Sequence, residues 1–121
     1  MSAPREEVEA IEVESLLVTE ENQHDILMEI RTHKNDVKHI QSVISAWQWP
    51  QKDELSVQLT MFLTNLHDMH DAVHFYNAGD EEVKFPQRAV AEKMAGLVEH
   101  FHDMKFVYCN SNAARPNRIF E

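Results

Sequence analysis

One cysteine, two glycines and four prolines are all that this sequence of 121 residues holds of the residue types that staple, turn or break a chain. With Cys109 alone, an intramolecular disulfide and a zinc site built on several thiolates are both excluded. Gly79 and Gly96 are too few to punctuate a many-stranded fold or to build a glycine-rich phosphate cradle. Nowhere do apolar residues run together long enough to cross a bilayer, and Met1 to Val18 lacks the basic stretch and apolar core of a secretory leader. Neither a Gly-x-Ser-x-Gly turn nor a cysteine beside a histidine-bearing loop is found, so no enzyme signature stands out. These absences point to one small, soluble, cytoplasmic domain made of long helices, with no membrane association.

Basic residues are scarce as well. Eleven Lys and Arg stand against 21 Asp and Glu, for a net charge of -10. Residues 1–29 hold nine acids and only Arg5, or -8, while residues 30–121 hold twelve acids and ten bases, or -2. The acidity is therefore an N-terminal property. It disfavours direct nucleic-acid binding and favours basic protein surfaces as partners.

What the sequence does have is periodicity. Ile26, Ile30, His33, Val37, Ile40, Ile44 and Trp47 repeat at 4-3-4-3-4-3 spacing, an apolar heptad seam interrupted by His33. Thr19 supplies an N-cap with Glu20 and Glu21 behind it, and Pro50 a stop, so the first helix is expected over about residues 20–48. Leu55, Leu59, Phe62, Leu66, Met69, Val73 and Tyr76 repeat the pattern and predict a second helix over about 53–77. Val90, Met94, Leu97, Phe101, Met104 and Tyr108 predict a third, over about 87–109, after a loop that ends at Pro86. The expected fold is all-α, an antiparallel up-down-up bundle of three helices spanning residues 20–109. Residues 1–18 break the register and read as an acidic arm, with a short fourth helix as an alternative. Residues 110–121 read as an irregular tail, because Pro116 ends any helix there.

Function is expected from surfaces rather than from chemistry. The leading reading is a non-enzymatic protein-interaction module: an adaptor, an inhibitor or a small assembly subunit. Trp47 and Trp49, read as an exposed pair beside Pro50, either cap the end of the bundle or serve as partner anchors, and Arg115, Arg118, Ile119 and Phe120 of the tail are further candidate anchors. Extra apolar residues flanking the seams, Leu27, Val43 and Leu63, suggest a homo-oligomer.

Two other readings compete. His67, His70 and His74 fall at i, i+3 and i+7, on one side of the second helix, and with His100 of the third they form a candidate zinc or iron site. Against it, a single Glu99-x-x-His102 pair falls short of the duplicate that di-iron bundles use. The glutamates of the arm also suggest an acidic nucleic-acid mimic that occupies a basic partner. Cys109 reads as a small core or rim residue, and His33 as a polar residue that fixes the register of its seam.

Overall fold

Two interruptions, at Pro50 and at the turn after Asn77, divide the chain into three helical lengths. The computed structural model describes residues 15–110. Its elements are strand β1 (Leu16–Leu17), helix α1 (Gln23–Ser45), helix α2 (Lys52–His74), strand β2 (Lys84–Phe85) and helix α3 (Gln87–Cys109). Each helix has 23 residues, about 34 Å of rod. The described chain is an all-α three-helix bundle, and no helix in it is long and apolar enough to cross a membrane.

The heptad seams become the core. Ile26, Ile30, Val37, Ile40 and Ile44 are buried on α1, Leu55, Leu59, Phe62, Leu66 and Val73 on α2, and Val90, Met94, Leu97 and Phe101 on α3. All of them join one apolar cluster, with Met69, Tyr76, Met104 and Tyr108 partly buried at its edges. The side chains of Gln23, Arg31 and Gln41 on α1 reach Val73, His70 and Thr60 on α2 in turn, so these two helices run in opposite directions. Gln87 at the start of α3 reaches Glu29, and Phe101 and Tyr108 further along meet Trp47, so α3 runs alongside α1 in the same sense.

Both ends of α1 and the last end of α2 depart from the sequence expectation by about one turn, and side chains account for it, whereas α3 keeps the expected bounds. Thr19 Oγ1 accepts the Asn22 N–H at 3.2 Å while Asn22 Oδ1 accepts the Thr19 N–H at 2.8 Å. This reciprocal cap closes a turn just ahead of the regular helix, which begins at Gln23 rather than at residue 20. At the other end, Lys52 Nζ donates to the carbonyls of Ser45 (3.2 Å) and Trp47 (2.7 Å), so the last turn is satisfied from outside and α1 stops at Ser45. Gln23 Nε2 does the same for α2, donating to Val73 O (2.8 Å) and Tyr76 O (3.0 Å), and α2 ends at His74 instead of residue 77.

The part of the arm that falls within the described residues is not a helix. Leu16 pairs with Phe85 and Leu17 with Lys84 in an antiparallel ladder, which continues as a 2.8 Å bond from Val18 N–H to Val83 O. Val18 and Phe85 are fully buried, so the pairing drives two apolar plugs into one end of the bundle. That burial decides the conformation. Residues 1–14 of the arm and 111–121 of the tail, including Arg115, Arg118, Ile119 and Phe120, lie outside the described residues.

Candidate functional site

Helices α1 and α3 lie side by side over an open cleft of about 370 Å³. Its floor is apolar, made by Ile40 and Val43 of α1 and by Val98 and Phe101 of α3. Its rim is polar: Asp36 and His39 on one helix, His102 and Lys105 on the other. The seam spacing that buries Ile40 and Phe101 puts the shorter Val43 and Val98 at the flank, where they are half-buried and leave the space between the helices unfilled. At one end the floor is closed by aromatics, with the Trp47 ring stacked on Phe101 at 5.9 Å and on Tyr108 at 4.7 Å. Lys105 Nζ sits 6.0 Å from the centre of the Phe101 ring, which places a cation at the edge of the apolar floor. A greasy floor with charged margins suits a side-chain row at i, i+3, i+4 and i+7 better than a small polar substrate.

The opposite flank of α1 faces α2 and is of another character. Arg31, Lys34 and Lys38 follow one another at i, i+3 and i+7, and Arg31 Nε donates to His70 Nε2 at 3.3 Å. The His70 ring stacks on that of His74 at 5.8 Å and 16°. Burial, together with the Lys34 and Arg31 cations and His74, lowers the His70 pKa from 6.5, and Asp71 opposes this.

Several residues singled out in the sequence land elsewhere than expected. Trp47 is 7% exposed and belongs to the core, so the expectation of an exposed tryptophan pair is corrected. The stacked rings of Phe101 and Tyr108 draw it in. Trp49 is half-buried, edge-on to Trp47 at 6.4 Å and tilted against Tyr108 at 5.7 Å. Leu27, Val43 and Leu63 are partly buried against their own core, and the large apolar side chains left exposed include Met28, Val57, Met61, Phe75, Phe106 and Val107. Cys109 is exposed at the rim.

The four candidate metal ligands are not brought together. His67 pairs with Asp71 at 3.4 Å and His70 takes the Arg31 N–H, so the α2 stripe faces α1, whereas His100 is carried by α3. Among the described residues no group of three or more His, Cys, Asp or Glu side chains is arranged to hold a metal ion. The Arg31 guanidinium against His70 also works against a cation there. His33 keeps its place in the seam with 17% of its side chain exposed. Neither ring nitrogen has a hydrogen-bond partner, and Glu29 Oε2 stands 3.8 Å away.

The cleft between α1 and α3 was not foreseen from the sequence, because a heptad repeat reports which residues are buried and not how far apart two rods settle. The cationic flank was within reach, since Arg31, Lys34 and Lys38 can be read at helical spacing. Compared with protein-family models, with curated proteins and with solved structures, the chain matches none.

Proposed function

We propose that this protein is a non-enzymatic interaction module that takes an amphipathic helix of a protein partner into the cleft between α1 and α3. The observation that carries the proposal is the pairing of an apolar floor (Ile40, Val43, Val98, Phe101) with a polar margin on which Lys105, His39 and His102 outnumber the single carboxylate of Asp36. The partner's chemistry follows from it. A row of apolar side chains at helical spacing fills the floor, and carboxylates along the flank of that row meet Lys105 and the two imidazoles. Trp49 and the tail residues Arg115, Arg118, Ile119 and Phe120, the latter four outside the described residues, are candidate partner contacts in the same proposal. A cytoplasmic location belongs to it as well.

Selection of amphipathic helical peptides with acidic flanks, followed by mapping of the backbone amide shifts of the protein, tests the reading. Shifts concentrated on residues 36–43 and 98–105 are expected. Shifts confined to the outer face of α2, or no binding by any such peptide, reject it.

Self-association is proposed for a different strip. Val57 and Met61, 58% and 63% exposed, lie one turn apart on α2 outside its buried seam. Light scattering should give a dimer mass for the native protein and a monomer mass for Met61→Glu. A monomeric native protein contradicts this part.

A further inference from the structure

The charges of the bundle are sorted by face, and the sorting singles out a place for the acidic N-terminal segment. On α1, the two acids of the middle turns lie toward α3: Glu29 accepts a 2.7 Å bond from Gln87 Nε2, and Asp36 lines the cleft. Arg31, Lys34 and Lys38 lie on the other flank, where Arg31 meets His70. That flank continues onto α2 with His67, His70 and His74. The acid placed among them is Asp71, 3.4 Å from His67 and 4.0 Å from His70. One helical turn beyond Lys38, the neutral bond from Gln41 to Thr60 marks the end of the charged stretch. In a chain of net charge -10, Arg31, Lys34 and Lys38 set among these imidazoles make the face a cationic island.

The sequence holds a matching counterpart. Residues 6–14 carry Glu6, Glu7, Glu9, Glu12 and Glu14 and no base. They join the bundle at Ser15, at the end where Gln23 reaches the carbonyls of Val73 and Tyr76, which is also the end that carries His74. From Gln23 to Lys38 is about 22 Å along α1, and nine residues of chain span up to about 30 Å when extended. Counted from Ser15, whose neighbour Leu16 pairs with Phe85, that span is enough to reach the island. Its acidic side chains and the island's N–H groups are complementary in sign.

We infer that the face formed by Arg31, Lys34, Lys38, His70 and His74 is a docking surface for a glutamate-rich segment, and that its occupant is residues 6–14 of the same chain. The inference stands apart from the cleft between α1 and α3, which lies on the other flank of α1. A basic partner that captures the arm competes with this face, so the face sets how readily the arm is given up.

Proton NMR titration of the histidine rings in the full chain tests the inference. In a variant with Glu6, Glu7, Glu9, Glu12 and Glu14 all changed to Gln, the titration midpoint of His70 is expected to fall by about 0.3 pH unit or more. As a second readout, Arg31→Glu with Lys34→Glu should speed cleavage of the arm by a glutamate-specific protease several-fold. Unchanged midpoints together with unchanged cleavage overturn the proposal. A difference in midpoints that vanishes on dilution overturns the intramolecular occupant, because it assigns the arm to a second copy.

Discussion

Two histidines of similar burial carry opposite kinds of information. His33 holds both ring nitrogens away from water and from any hydrogen-bond partner among the described residues, and with the Glu29 carboxylate no nearer than 3.8 Å it is a polar interruption that is poorly compensated. Replacing it with leucine is expected to raise stability by about 1–3 kcal/mol in chemical denaturation. A fall in stability would mean that the imidazole contributes more to the seam than its desolvation costs, as the register-fixing role read from the sequence requires. His70 is compensated in its neutral form, because Arg31 donates to its Nε2 and the nearby cations penalise a second positive charge. Its pKa is lowered from 6.5 on folding, so at acid pH the unfolded chain binds the proton more readily than the folded one does. The contribution of His70 to stability is thus full above about pH 6.5 and is lost as pH falls below it. Melting curves across pH 5 to 8, roughly the range in which histidine titrates, should show a shallower acid slope for His70→Gln than for the native protein.

At the scale of the element, the three seams were readable because burial follows helical period so closely: each buried helix residue sits at a position the 4-3 spacing marks. Helix ends were less readable because they are settled by partners distant in sequence. Gln23 and Val73 are fifty positions apart, and no local rule joins a glutamine at the start of one helix to the last carbonyls of the next. Gln23→Ala should cost about 1–2 kcal/mol and fray α2 beyond His70, seen as faster amide exchange over residues 71–76. The strand pair was unreadable for a related reason, since two-residue strands leave no periodicity and this ladder is held by the burial of Val18 and Phe85. Trp47 was read both as the last residue of the first seam and as half of an exposed pair beside Pro50, and its burial bears out the seam. In the fold, the bond from Trp47 N–H to Ile44 O tightens the last turn, and the ring comes to stack on Phe101 and Tyr108.

For the molecule as a whole, the two flanks of α1 separate two kinds of recognition. One flank is cationic and lies against the histidines of α2. The other opens toward α3 over an apolar floor. The histidine stripe that suggested a metal in the sequence is spread along the first of these, with Arg31 among its members, which explains why spacing on a single helix did not make a coordination site. Charge at this scale also governs solubility. Protonating all eight histidines takes the net charge from -10 to -2, so solubility is expected to be lowest near about pH 5.

The cleft over Val43 and Val98 is proposed to receive an amphipathic helix. Titration calorimetry of a selected acidic-flanked helical peptide against the native protein and against Val98→Glu tests it most directly, with circular dichroism confirming that the variant keeps its helices. A loss of affinity of about tenfold or more is predicted for a carboxylate introduced into that floor. Equal affinity for the two proteins would contradict the account.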